Sequence, residues 1–311
     1  MSGFSVRQPG LLTLIQDRGR FGAYNLGLTN GGPLDSLAFD WANRLLGNDS
    51  NASALEISFG GLTLEAGVDT SIVITGAEMP CKINDETINQ WQTRSVKKGD
   101  RIELGYVTNG TRAYLSVASG FDITPSFGST ATVVREKIGG LNGDKLQVGD
   151  LLPCASVALS QHYCLGREAQ PQYGNSATLR VVLGYQQDAF DATQQWRFFN
   201  SEYLVSDRCD RMGFRLEGEA IHSGMVGMLS EGICHGAIQI PADGQPIVLM
   251  NDRQTIGGYP KIGSVIPLDT AKLAQLSPGA TIRFESISPE YAHNLHWLEK
   301  SRFERTQAVK C

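Results

Sequence analysis

The sequence has no run of eighteen apolar residues, about the length a helix needs to cross a bilayer, and its first ten, MSGFSVRQPG, lack the apolar core of a signal peptide. The expectation is a cytoplasmic chain with no membrane partner. A basic face is missing as well. Lys and Arg number 27 against 32 Asp and Glu, for a formal net charge of −5, whereas phosphate-backbone binding needs cations clustered on one surface. No nucleic acid is expected. The six cysteines, Cys81, Cys154, Cys164, Cys209, Cys234 and Cys311, show no C-x-x-C spacing. That removes zinc knuckles and dithiol redox motifs and leaves scattered reduced thiols.

Nucleotide and nucleophile fingerprints are absent too: no G-x-x-x-x-G-K-[ST], no G-x-G-x-x-G opening a helix after a strand, no G-x-S-x-G. Any ATP site is therefore not a P-loop. A Met-Lys-Met segment is also missing, so no covalent biotin is expected on this chain.

What the chain does have is glycine, 35 of 311 residues, above the usual ~7% and without a collagen period. Such an excess fits many tight turns between short strands. Strand candidates fall at 71–77, 100–106, 112–120, 178–184, 237–241, 246–251 and 281–287, each rich in Val, Ile or Leu and bounded by turn residues. VKKGDRIEL, LQVGDLLPC and LSPGATIRF each set a Gly turn before a strand, as small barrels do. The fold class expected is all-β with a few short helices. The strongest helix starts from Pro33, with Leu34, Leu37, Ala38, Trp41, Leu45 and Leu46 on one stripe and Gly47 past its end. Others are expected near 189–200, near 269–276 from the cap candidate Asp269, and near 289–303. A polar connection near residue 160 divides the chain into 1–160 and 161–311.

Three stretches mix carboxylates, arginines and glycines beside apolar strand residues: TLIQDRGRFG (13–22), SDRCDRMGFRLEG (206–218) and NDRQTIGGYPKIG (251–263), the last also carrying Lys261. Neighbours on an extended chain point to opposite faces, so in each Asp-Arg step one side chain can enter a cleft while the other supports it. Arg offers a rigid fork for carboxylate or phosphate oxygens, and Gly257 and Gly258 let a ligand or partner approach closely. Against this stands the plain reading of surface ion pairs beside hairpin turns. His293 and His296, three apart on a helix beside Trp297, read either as a metal pair or as a structural one; no metal is assigned. Glu231, between Ser230 and Gly232, is a candidate catalytic carboxylate at a turn.

The blocks LLTLIQDRGRFGAYNLGLTNGGPLDSLAFDWANRLLGND, ALEISFGG, DRMGFRLEG and SEGICHGAIQIPADGQPIVLMNDRQTIGGYPKIGSVI, in this order, resemble the allophanate hydrolase subunit 2 family, also called the biotin-dependent carboxyltransferase-like family. The likeness runs over nearly the whole chain, with Ile256 where the family usually has Thr. It implies two cyclophilin-like β-barrel domains, 1–160 and 161–311. A stand-alone chain of this length is similar to the C subunits of ATP-hydrolysing 5-oxoprolinases. That implies partnership with subunits A and B, ATP and Mg2+ as cofactors, and opening of the amide ring of 5-oxoproline to glutamate. The family also implies two alternatives: an amide-hydrolase or carboxyltransferase subunit working with a separate biotin protein, and a regulatory module that antagonises a kinase inhibitor. Under the enzyme reading, Arg253 and Arg211 bind an anion, Asp252 and Asp210 orient them, and Gln254 and Tyr259 hydrogen-bond the small amide substrate beside Gly257 and Gly258. Asp17, Arg20 and Asp35 form a second polar centre.

Overall fold

The structure is a computed structural model that describes residues 2–225 and 228–311. Its contacts divide the chain into two compact units: Met1–Ala23, Asn30–Tyr173 and Thr306–Cys311 in the first, Tyr24–Thr29 and Gly174–Arg305 in the second. The division falls at Tyr173 rather than near 160. The intervening segment is tied to the first unit: Thr93 donates its amide to Tyr163 O at 2.9 Å, and Tyr163–Cys164 pairs with Val309–Lys310. Short local spacing in the sequence gives no sign that residues 24–29 and 306–311 exchange sides.

The first unit is built of two antiparallel sheets. One has six strands in the order Leu151–Pro153, Gly3–Pro9, Gly60–Ala66, Arg101–Tyr106, Cys81–Ile83 and Glu86–Thr87. The other has five, Leu12–Gln16, Ala54–Ser58, Asn109–Val117, Thr70–Glu78 and Arg94–Val96. Phe4, Val6, Leu62, Leu64, Ile102 and Leu104 from the first sheet share one buried cluster with Ile15, Leu55, Ile57, Ile72, Ile74 and Leu115 from the second. Helix α1, Ser36–Leu46, covers the five-stranded sheet with Ala38, Phe39, Trp41 and Ala42. That is why the strand Thr70–Glu78 is buried on both faces and lacks polar alternation. Asp35 caps the helix through Ala38 N at 3.1 Å, so the helix starts at Ser36 and Pro33 lies ahead of it.

The second unit is a closed barrel of seven strands: Ser176–Leu183, Lys261–Val265, Ala237–Gln239, Ile247–Leu249, Gly213–Gly218, Tyr203–Cys209 and Thr281–Ser286. A parallel pairing of Thr281–Ser286 with Ser176–Leu183 closes it. Leu179, Phe214, Leu216, Ile238, Val248 and Ile282 are buried inside. Helix α2, Ala192–Asn200, adds Phe198, whose ring stacks on Phe284 at 4.4 Å. The expected mostly-β fold is found, with a closed barrel in this unit and a pair of sheets in the other. Gly99, Gly149 and Gly279, the turn glycines of the three repeated segments, all have positive φ, between 86° and 94°. Only glycine adopts that conformation without strain.

Helix α3, Pro267–Ala274, corrects the cap expectation. Pro267 opens the helix, and Asp269 sits in its first turn, fully buried, accepting Arg180 Nε and Nη2 at 2.7 Å each. An ion pair, rather than a cap, accounts for that aspartate. Helix α4, Pro289–Arg305, buries none of its residues, and its His293 accepts the indole N–H of Trp297. Among the described residues no helix is long and apolar enough to cross a membrane, and no three His, Cys, Asp or Glu converge as a metal cage.

Candidate active site

The strand Ile247–Leu249 runs out into residues 251–260, and this loop separates two cavities of the second unit. One, of about 500 Å³, is lined by Gln254 and Tyr259 together with Asp210, Arg215, Gln239 and Ile247. The other, of about 650 Å³, is lined by Arg253, Thr255 and Ile256 together with Tyr24, Cys234 and His235. Arg253 and Gln254, adjacent in sequence, thus serve different cavities. The segment therefore presents side chains to both cavities rather than to one cleft.

Arg253 is 3% exposed. Its Nε and Nη1 donate to Ile233 O and Met250 O, both at 3.2 Å, and Nη2 donates to the Tyr24 hydroxyl. Burial lowers its pKa from the ordinary guanidinium value, while Tyr24 acts in the opposite sense. A guanidinium keeps its proton in proteins, so the cavity wall carries a fixed positive charge. Beside it, His235 is pushed down to about 4, first by burial and then by the charge of Arg253, and its buried Nε2 has no hydrogen-bond partner among the described residues. The imidazole is neutral near pH 7.

Asp252 orients an arginine as expected, but that arginine is Arg211 of the preceding block rather than its neighbour Arg253. The carboxylate of Asp252 accepts Nε and Nη2 of Arg211, each at 2.9 Å, and Asp252 N donates to Arg211 O at 2.8 Å. The expected orienting role of Asp210 is corrected as well. Its Oδ1 accepts the amides of Met212 and Gly213 at 2.7 and 3.1 Å, folding the hairpin turn. Short side chains of this type bond their own backbone two residues on more readily than they reach sideways.

Glu231 lies on the short strand Glu231–Gly232, paired with Ile256–Gly257. The Lys261 ammonium meets its Oε1, and Gln186 Nε2 donates to the same oxygen at 2.6 Å. Lys261 first, then the Tyr185 hydroxyl, hold the Glu231 carboxyl below the ordinary range. A carboxylate so stabilised is a poor proton acceptor near neutral pH and is suited to positioning Lys261. Lys261, at the end of the third Asp-Arg block, Gln186, Tyr185 and Tyr24 complete the site, and the last three stand outside the blocks. The sequence signal for them was position: Tyr185 and Gln186 follow the end of a strand, and Lys261 begins one.

Asp17, Arg20 and Asp35 belong to the first unit. Asp17 accepts Gly19 N, Ser129 Oγ and Thr130 N, and Arg20 donates to the carbonyls of Ser126, Ser129 and Ala131. Both hold the loop around residues 126–131. Asp35 caps α1 and accepts the Tyr173 hydroxyl at 2.8 Å. The polar centre expected there is a set of backbone supports.

Residues 26–286 match the family model of the carboxyltransferase domain, subdomain A and B. The chain is 38% identical over 301 residues to an Escherichia coli K12 protein named as the C subunit of 5-oxoprolinase, covering 96% of each chain. A Haemophilus influenzae protein of the same name is 35% identical over 282 residues, 90% of each. The solved urea carboxylase of Kluyveromyces lactis superposes with a TM-score of 0.91 at 29% identity over 98% of this chain, which spans 29% of that longer one.

Proposed function

The chain belongs to the carboxyltransferase domain family, subdomain A and B, and from that premise we propose that it is the C component of an ATP-dependent 5-oxoprolinase, active with subunits A and B. The observation that carries the reading is likeness along 96% and 90% of two chains that bear the name of the 5-oxoprolinase C subunit. An unstrained ring amide is a poor electrophile. Phosphoryl transfer from ATP to the ring carbonyl oxygen makes its carbon open to water; expulsion of the ring nitrogen opens the ring, and a second water hydrolyses the acyl phosphate to glutamate and phosphate. Developing charge on the transferred group needs fixed cations in a site from which water is excluded. The cations of this chain open to that role are Arg253 at the wall of one cavity and Arg208 and Arg215 at the wall of the other. The described residues offer no cage for a resident Mg2+, and no step is assigned to one on this chain.

The test is glutamate release from 5-oxoproline with ATP and Mg2+, using this chain mixed with subunits A and B and then with this chain omitted. Activity that requires all three supports the reading. A complete, assembled and inactive mixture overturns it. A second reading, carboxyl transfer with a separate biotin carrier, is favoured by the superposition on a urea carboxylase. It predicts product formation that depends on carboxybiotin and needs neither of the two oxoprolinase partners.

A further inference from the structure

Three neighbouring strands of the barrel set Arg215, Ile247 and Gln239 in one register row. Arg215 is opposite Ile247 on one side, and Gln239 is opposite the same Ile247 on the other. Their sequence neighbours Phe214, Leu216, Val248 and Ile238 are buried in the barrel. Alternation therefore turns the row to the outer face, where all three residues line the cavity of about 500 Å³. Adjacent strands lie about 4.8 Å apart, so Arg215 and Gln239 start roughly 10 Å from each other and reach toward one another over Ile247.

Among the described residues, neither the Arg215 guanidinium nor Gln239 Nε2 has a protein partner. Gln239 is 1% exposed, and its Nε2 is buried without a hydrogen bond. Buried donors in native proteins are nearly always satisfied, by protein, water or ligand. Arg215 is half-buried, and no carboxylate lies within ion-pair distance of it among the described residues. The acidic groups along the cavity are Asp207 and Asp210, and Asp210 is turned to the amides of Met212 and Gly213. The remaining cation, Arg208, faces Glu217 at 3.8 Å. Between Arg215 and Gln239 the floor is apolar, made by Ile247 and Leu249.

A guanidinium, an amide donor and an apolar floor between them define a ligand by complementarity. We propose that this cavity binds a small carboxylic acid that carries a ring amide, with its carboxylate on Arg215 and its ring carbonyl on Gln239 Nε2. The identity of the ring amide rests on the oxoprolinase reading, in which the acid is 5-oxoproline. The cavity then holds the acid on one side of the 251–260 loop, and the cation of Arg253 lies on the other.

The test measures binding to the full chain by calorimetry with three probes: 5-oxo-L-proline, 2-pyrrolidinone and cyclopentanecarboxylate. Arg215→Met is expected to weaken 5-oxo-L-proline and cyclopentanecarboxylate by at least about ten-fold, the loss typical of a charge-assisted hydrogen bond, and to leave 2-pyrrolidinone unchanged. Gln239→Leu is expected to weaken the two ring amides and spare cyclopentanecarboxylate, with Gln239→Glu as the second variant should Leu disturb folding. Wild-type chain that binds none of the probes, alone or with subunits A and B, overturns the proposal; so does equal binding by wild type and Arg215→Met. Turnover by the assembled complex separates the two claims. An Arg215→Met complex with wild-type KM for 5-oxoproline removes the cavity assignment and leaves the oxoprolinase reading. An inactive complex whose chain still binds the acid through Arg215 removes that reading and leaves the cavity.

Discussion

Arg211 and Asp252 form a bidentate ion pair, Nε to Oδ2 and Nη2 to Oδ1 at 2.9 Å each, with side chains only 6% and 7% exposed. The pair joins the Tyr203–Gly218 hairpin to the loop that partitions the two cavities. Two sequence blocks that look like separate ligand sites are one buried brace. Its geometry makes Asp252 a support for the loop carrying Arg253 and Gln254.

Removing Asp252 takes away both of its hydrogen bonds to the buried Arg211 guanidinium. Asp252→Ala is expected to destabilise the protein by about 3–5 kcal/mol, and Asp252→Asn, which keeps one hydrogen bond, by less. Urea unfolding followed by circular dichroism measures this. A midpoint for Asp252→Ala equal to that of wild type would show that the pair contributes nothing to the fold.

His235 gives stability a pH dependence of defined sign. Burial, with Arg253 beside it, holds the imidazole at about 4 in the folded protein, against roughly 6.5 unfolded. Between these values the unfolded chain binds the proton and the folded one does not, so stability is full above about 6.5 and falls as pH drops toward 4. The loss attributable to this residue is up to about 3 kcal/mol. His235→Gln should flatten that part of the profile, and an NMR titration of wild type should place the imidazole midpoint near 4. A midpoint near the unperturbed value would contradict it.

The contrast between Arg211 and His235 shows what was readable beforehand. Strands were legible because their apolar runs are bounded by turn residues, and α1 because its apolar stripe ends at Gly47, although its start was read at Pro33 and not at the Asp35 cap. The Asp-Arg blocks were correctly placed at strand ends. Their pairing was not legible: Arg211 finds Asp252 at a separation of 41 residues, whereas sequence adjacency suggested Asp210. Closure of the barrel, by Thr281–Ser286 returning beside Ser176–Leu183, is likewise a long-range register that local periodicity does not encode. The Arg215–Ile247–Gln239 row depends on the pairings of three other strands, and no spacing in the chain announces it.

Gly257 and Gly258 differ in what they make room for. Neither carries a positive φ, so backbone conformation does not demand glycine at either position. A Cβ on Gly257 would stand 2.6 Å from Ile233 Cδ1 and 3.0 Å from Gln239 Nε2, forcing both to move. On Gly258 the nearest atom would be Met228 O at 3.4 Å, an ordinary contact. Because Ile233 Cδ1 and Gln239 Nε2 are side-chain ends that can shift, Gly257→Ala is expected to cost about 1 kcal/mol of stability, the low end for overpacking, and Gly258→Ala close to none. Thermal unfolding compares the two. If Gly258→Ala keeps its melting temperature and loses activity in the assembled complex, the open space at Gly258 serves a ligand or partner; unchanged activity would remove that role.

Glu231 offers a test of whether the site uses this carboxylate as a base. Lys261 is the largest influence holding its carboxyl below the ordinary range, and the Tyr185 hydroxyl comes next. A group depressed in this way adds stability that is present above its unfolded value, near 4.3, and lost as pH falls through the folded one. Lys261→Met should raise the carboxyl midpoint, seen by carbon-detected NMR titration, and remove that acid-side loss of stability. Tyr185→Phe should move it the same way by less. If turnover in the complex followed ionisation of Glu231, the acid limb of the pH–rate profile would shift upward in Lys261→Met in step with the titration. Its strong ion pair instead predicts a lower rate with an unmoved acid limb, because Glu231 is already charged throughout the working range and Lys261 is the group it positions. A limb that shifts with the carboxyl would overturn this assignment and make Glu231 the proton acceptor.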